Sequence, residues 1–264
     1  MENLLQVKNL KVDFQLENRV IHAVDGANLY VNKNEVVVLA GESGSGKTIT
    51  ALALTRILPL NARIVSGEVI LGMDQLLDLS EKQLSLIRGK KIAYIFQEPT
   101  SFLNPVYTIG EQIVEVIILH QKLSRKQAFV RAKSLLEDVQ INDPARVLSS
   151  YPHQLSGGMN QRVFIAMSLA CNPALLIADE PTTSLDVTIE AQILKLLLEL
   201  KNKLGFSLLF ITHNLSIAKK IAQRVYVMYQ GKVVEEGRTG DIFNDPRHFH
   251  TKELIAAYQK IGKL

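Results

Sequence analysis

The chain has a single cysteine, Cys171, among its 264 residues. A disulfide framework needs at least a pair, so none can form. Charge of one sign is also scarce. Thirty Lys and Arg stand against 26 Asp and Glu, a formal net charge of +4. Hydrophobic residues make up 47% and charged residues 21%, which excludes disorder as a description of the whole chain. Long apolar runs are missing too. A transmembrane helix needs about 18 or more apolar residues in succession. The best uncharged run, residues 163–178, is interrupted by Ser168, Asn172 and Pro173. Met1-Glu2-Asn3 carries no basic n-region and leads into no long apolar stretch, so no secretory signal is expected and a cytoplasmic setting is. The mild basicity is compatible with nucleic acid or an anionic membrane surface and selects neither. The length suggests one or two domains with a large core, at roughly 150 residues per domain.

The pattern that is present changes along the chain. Leu5, Val7, Leu10, Val12 and Phe14 roughly alternate with polar residues, as in a strand. A second strand is expected over 19–24 and a third over 29–31. Val36-Val37-Val38-Leu39 is a run suited to a strand buried on both faces. After a glycine cluster, Ala51, Leu52, Leu54 and Leu58 give helical spacing that stops at Pro59. Ser80 with Gln83, Thr108 with Glu111, and Ser124 with Gln127 fit the capping box. Residues 108–169 read as mostly helical. The last third alternates: strand 174–178, helix 188–204 with Gly205 as C-cap, strand 207–212, helix 215–223, strand 225–229, then a hairpin turn at Gln230-Gly231.

Gly41-Glu42-Ser43-Gly44-Ser45-Gly46-Lys47-Thr48 fits G-x-x-x-x-G-K-[ST], with Ile49 following. Glycines let backbone N–H groups turn toward phosphate oxygens without a Cβ clash. The helix that follows points its positive end at the same anion. Lys47 is placed to reach β and γ phosphates, and Thr48 supplies a hydroxyl to Mg²⁺. Leu175-Leu176-Ile177-Ala178-Asp179-Glu180 reads as a buried strand ending in two carboxylates. Asp179 suits the Mg²⁺ shell. Glu180, one residue on, can face an attacking water and polarise it or accept its proton.

Leu155-Ser156-Gly157-Gly158-Met159 lies at an expected helix start. With the two preceding motifs it resembles the signature of ATP-binding cassette (ABC) ATPases, with Met159 where Gln is usually written. Other segments match the family in order. Gln97, after an expected strand over 91–96, is similar to the Q-loop glutamine. Ser184-Leu185-Asp186 is similar to the D-loop, and His213 to the switch histidine. Phe14 matches the aromatic that stacks on adenine and reads equally well as a core strand residue. Phe96-Gln97-Glu98-Pro99 with Leu103-Asn104-Pro105, Tyr151-Pro152-His153-Gln154, and the run 178–186 resemble the peptide/nickel importer branch. Phe102 stands where that branch leads one to expect a small polar residue.

The resemblance implies an α/β fold. It would be a P-loop NTPase (RecA-like) ABC ATPase core with an N-terminal antiparallel β-subdomain and an inserted α-helical subdomain. Residues 1–264 would form a single nucleotide-binding domain, with 1–97 and 166–264 as catalytic core and 98–165 as helical subdomain. It implies ATP and Mg²⁺, the metal held by Thr48, Gln97 and Asp179. Ser156, Gly157, Gly158 and Met159 would act in trans on ATP bound by a partner, in a head-to-tail dimer that is homomeric or heteromeric. Two integral membrane permease subunits, and indirectly an extracytoplasmic solute-binding protein, complete the implied assembly at the cytoplasmic face of the membrane. Nucleic acid is not expected as a partner. A soluble ABC ATPase acting on ribosomes or DNA is the alternative. The single cysteine rules out by ligand count the iron–sulfur cluster of longer relatives. Asn32-Lys33-Asn34-Glu35 and Asn202-Lys203-Leu204-Gly205 read as turns rather than guanine-reading motifs, which favours ATP over GTP. His248 and His250 read as a surface C-terminal segment, not a metal site. Cys171 is expected on an apolar helix as a buried, inert thiol.

Overall fold

A computed structural model describes residues 2–17, 19–183 and 186–261. In chain order the elements are β1 (Asn3–Leu16), β2 (Arg19–Asn32), β3 (Val36–Ala40), α1 (Lys47–Ala53), β4 (Ala62–Leu71), β5 (Asp74–Gln75), α2 (Glu81–Ser85), β6 (Ile92–Ile95), α3 (Pro99–Phe102), α4 (Ile109–Gln121) and α5 (Arg125–Asp138). Then come α6 (Pro144–Leu148), α7 (Gly157–Leu169), β7 (Leu175–Asp179), α8 (Val187–Leu204), β8 (Ser207–Thr212), α9 (Leu215–Ile221), β9 (Arg224–Tyr229), β10 (Lys232–Arg238), α10 (Thr239–Asn244) and α11 (Phe249–Ile261). Two compact units divide them: Met1–Leu84 with Ser207–Leu264, and Ser85–Phe206.

The first unit carries an antiparallel sheet in the order β2-β1-β4-β5. Its apolar alternation changes phase: Leu5 and Val7 are buried at odd positions, Leu10 and Val12 at even ones. A bulge between Val7 and Leu10, with Asn9 at φ 45, absorbs the extra residue. Without it, every later side chain would face the wrong side. The two strands expected over 19–24 and 29–31 are one continuous β2. Asp25-Gly26 looks like an end in the sequence, but Gly26 takes φ 76 inside the strand, and Asn28 Nδ2 donates to its carbonyl at 2.9 Å. Strand β4 has no clear sequence signal, since only Val69 and Leu71 of its ten residues are fully buried. Gly67 marks a close approach there, because a Cβ would lie 2.6 Å from Leu10 Cα.

The other strands of this unit run β10-β9-β3-β8. β3 pairs parallel with both neighbours, Val38 opposite Phe210 and Val225. Every residue of β3 and β8 is buried, as the unbroken apolar runs require. β9 and β10 form the expected hairpin, with Gln230 at φ 46 and Gly231 at φ 78. α1 ends at Ala53, well short of the expected Leu58. The chain turns out at Arg56, φ 53, whose guanidinium donates to Leu77 O and Glu81. The C-terminal segment is not merely surface: His250 is buried and stacks on Tyr229 with ring centroids 3.9 Å apart.

In the second unit β6 and β7 pair parallel, Tyr94 opposite Ile177. Between them lie five helices, α3 to α7. The capping boxes at Thr108 and Ser124 form as the sequence indicates, each N-cap side chain accepting from the N3 backbone. In the first unit, Ser80 and Gln83 make the same reciprocal pair. α8 buries Ile193, Leu196, Leu197 and Leu200, a stripe at helical spacing, and ends on Gly205 at φ 74. Cys171 lies beyond the end of α7 rather than on it, half-buried. Burial pushes its thiol up, which keeps it protonated and unreactive at neutral pH. Among the described residues no helix is long and apolar enough to cross a membrane.

Candidate functional site

In the first unit, β3 ends at Ala40 and the glycine loop leads into α1. The strand is fully buried, so its last residue cannot shift and the loop starts from a fixed point. Gly46 takes φ 102, and a Cβ on it would lie 2.4 Å from Ala23 O. A Cβ on Gly41 would lie 2.2 Å from Met228 O. Both positions are closed to any other residue. Gly46 leaves its carbonyl to α1, which accepts from Thr50 N at 2.8 Å and Thr50 Oγ1 at 2.9 Å. Glu42, Ser43, Gly44 and Thr48 are exposed, Ile49 is half-buried, and Ser45 and Lys47 are buried.

The Lys47 ammonium curls into the loop. It donates to Gly41 O at 2.9 Å, Glu42 O at 2.7 Å and Ser45 Oγ at 3.4 Å. A buried cation is costly unless hydrogen-bonded, and these acceptors meet that need. The loop therefore holds a positive charge inside a ring of backbone, and that ammonium is a donor a polyphosphate can take over from the carbonyls. His213, exposed just past β8, and Phe14, half-buried in β1 opposite Ile21, belong to the same unit. Phe14 is not among the fully buried core residues.

In the second unit, β7 ends in Asp179, only 6% exposed, followed by Glu180 at φ 44. A non-glycine residue there costs roughly 1–2 kcal/mol. The left-handed residue ends the strand, so Glu180 is carried by the turn while Asp179 stays fixed in β7. Glu180 Oε2 accepts from Gln97 Nε2 at 3.4 Å and from Thr183 Oγ1 at 2.9 Å. The structure thus joins Gln97 to Glu180, which lie 83 residues apart. Asp179 and Gln97 offer two side-chain oxygens of the kind a hard cation takes.

Ser156 caps α7, its Oγ accepting from Met159 N at 3.3 Å. Ser156 and Gly157 are exposed, and Gly158 is fitted against α8, where a Cβ would meet Ile189 Cγ2 at 3.3 Å. Asn160, buried, ties the helix start to Pro152 O at 3.0 Å. The N-terminal turn of this 13-residue helix faces outward, where an anion can reach its N–H groups. Asp186 caps α8, accepting from Thr188 N at 3.1 Å and Ile189 N at 3.0 Å. Ser184 and Leu185 lie outside the described residues.

Two features go beyond the sequence reading. Thr183 enters it only as part of the run 178–186, yet its hydroxyl bonds Glu180 at a shorter distance than Gln97 does. Phe102, unexpected at its position, stacks on Phe96 at 4.1 Å and packs against Phe164 of α7 at 6.2 Å. Spacing alone carries no signal for either contact.

Comparison with known proteins agrees with this chemistry. A family profile described as ABC transporter matches residues 24–183, which contain the glycine loop, Gln97, the Ser156 turn and both carboxylates. A probable peptide ABC transporter ATP-binding protein of Sinorhizobium fredii, y4tR, is 48% identical over 253 residues, 96% of this chain and 76% of that protein. The glutathione import ATP-binding protein GsiA of Escherichia coli is 47% identical over 268 residues, 99% of this chain and 43% of GsiA. The chain therefore spans less than half of that relative's length. Among solved structures, the dimeric post-hydrolysis state of the ATP-binding cassette MJ0796 bound to ADP and Pi superposes with a TM-score of 0.79 at 29% identity, over 93% of this chain and 100% of that one. CbiO1 of Clostridium perfringens, part of the ABC transporter complex cbiONQ, gives 0.77 at 25% identity, over 100% of this chain and 98% of that one. A phosphate loop, a carboxylate turn and 47–48% identity to relatives over nearly the whole chain all lead to one assignment: the chain belongs to the ABC transporter family and is one of its ATP-hydrolysing members.

Proposed function

We propose that the chain powers the uptake of peptides through partner membrane subunits by hydrolysing ATP. The observation that carries the hydrolytic part is the Glu180 carboxylate, held in a strained turn by hydrogen bonds from Gln97 and Thr183. Peptide, rather than nickel, is the solute class named, because the two relatives carry peptide and glutathione in their names.

Each residue has a stated task. Gly41, Glu42, Ser43, Gly44, Ser45, Gly46, Thr48 and Ile49 wrap the triphosphate, and Lys47 trades its loop carbonyls for phosphate oxygens. Thr48, Asp179 and Gln97 would hold Mg²⁺, which supplies charge neutralisation when bound. Glu180 orients the attacking water and accepts its proton. His213 steadies the γ-phosphate, and Phe14 lies against the adenine. In a head-to-tail dimer, Ser156, Gly157, Gly158 and Met159 bring the α7 N-terminus to the partner's ATP, with Asp186 fixing the start of α8 beside them. Phosphoryl transfer needs mostly positioning and charge neutralisation, and this set supplies both.

Residues 98–165 act as the helical subdomain and 1–97 with 166–264 as the catalytic core. A cavity of about 450 Å³ in that helical segment, lined by Tyr107, Glu111, Val114, Glu115, Ile118 and Leu119, supports a docking role toward the permease pair. The protein would then sit at the cytoplasmic face of the membrane. The test is reconstitution with co-expressed permease subunits in liposomes. ATP-dependent accumulation of a peptide supports the reading. RNA-dependent association with ribosomes, without membrane association, would refute it.

A further inference from the structure

The Glu180 carboxylate has to be aimed, and nothing intrinsic to glutamate aims it. The last torsion of its side chain is broad and close to two-fold, so packing at Cβ leaves the oxygens free to rotate. Hydrogen bonds must set the rotation. One comes from Gln97, at the end of a different strand, at 3.4 Å. A shorter one, at 2.9 Å, comes from Thr183, three residues along the same turn.

That turn is built to present the Thr183 hydroxyl. Glu180 sits at φ 44, and Thr183 N donates back to Glu180 O at 3.3 Å, closing the turn. Pro181 and Thr182 are buried inside it. Thr182 Oγ1 donates to Glu190 Oε2 at 3.2 Å, which ties the turn to α8. α8 in turn is fixed by its buried leucine and isoleucine stripe. Thr183 itself is exposed, so its side chain has no core to fill. What it does have is a short bond to the same oxygen, Oε2, that Gln97 reaches. A hydroxyl in the same turn keeps its bond even when the segment carrying Gln97 moves.

We propose that Thr183 is a positioning residue for ATP hydrolysis, its hydroxyl holding the Glu180 carboxylate in the rotation that serves the attacking water. This rests on the reading of Glu180 as the water-activating group. The effect of the hydroxyl falls on the chemical step and leaves nucleotide binding alone.

The experiment is steady-state ATP hydrolysis by the full chain in four forms: wild type, Thr183→Val, Thr183→Ser and Glu180→Gln. Valine keeps the branched shape and deletes the donor. Serine keeps the donor and deletes a methyl. A hydrogen bond to a charged group is worth enough that kcat in Thr183→Val falls about 10-fold, with KM for ATP within about two-fold of wild type. Thr183→Ser recovers most of the rate. A structural role alone would not separate kcat from KM, nor be rescued by the smaller serine. Wild-type kcat in Thr183→Val, or a serine variant as slow as the valine one, would overturn the proposal while an inactive Glu180→Gln leaves the role of Glu180 standing. Full activity in Glu180→Gln would instead remove the premise.

Discussion

Two loops of this protein begin alike and are built by opposite means. Each follows a strand of five buried residues, β3 before the phosphate loop and β7 before the carboxylate turn. Each must leave the strand in a backbone conformation most residues avoid. The phosphate loop solves this with glycine at Gly41, where a side chain would strike the Met228 carbonyl at 2.2 Å. The carboxylate turn places glutamate at φ 44 and accepts the strain, restrained by Thr182, Thr183 and a proline. The difference follows from what each loop offers. The first offers backbone N–H groups and needs side chains out of the way. The second offers a side chain, so the residue that bears the strain cannot be glycine.

The largest expected effect tests this division directly. Lys47→Ala removes the charge at the centre of the phosphate loop and should abolish both ATP binding and turnover. Glu180→Gln should cut turnover by about a thousand-fold while ATP binding is preserved and a closed dimer accumulates, as read by gel filtration with ATP. Equal loss of binding in both variants would erase the contrast between a binding loop and a chemical turn. Next in size is Gly46→Ala, which must displace backbone. A stability loss of about 1–3 kcal/mol in urea unfolding is expected, together with weakened nucleotide binding. The matching change in the other loop has the opposite sign. Glu180→Gly should be more stable than Glu180→Ala by about 1 kcal/mol, because glycine accepts the left-handed backbone. If alanine is the more stable of the two, the turn is not strained. The smallest effect belongs to Thr182→Val, which unties the turn from α8 and should cost about 1 kcal/mol in stability, with KM for ATP unchanged.

The sequence made the phosphate loop legible because its function is written in residue types at fixed spacing. The capping boxes at Ser80, Thr108 and Ser124 were legible for the same reason, each bond joining residues three apart. Contacts that depend on distant chain were not. The continuity of β2 across Asp25-Gly26 comes from its pairing with a bulged β1. The early end of α1 comes from Arg56 bonding Leu77 and Glu81, more than 20 residues on. The burial of His250, in α11, depends on Tyr229 of β9. In the candidate site the same rule holds. Asp179 and Glu180 were found as adjacent acids. The bond from Gln97 and the aiming role of Thr183 emerged only with the fold.

The aromatic stack beside Gln97 has one more consequence. Phe96 adjoins Gln97 in the chain, Phe102 lies face to face with it, and both rest on Phe164, two turns into the helix that starts beside Ser156. Flat rings in contact slide past one another with little resistance, but they cannot be pulled apart without exposing apolar faces to water. The cluster therefore acts as a bearing rather than a weld. A shift at Gln97 can glide across the rings, while any motion that lifts the strand end from the helix is opposed.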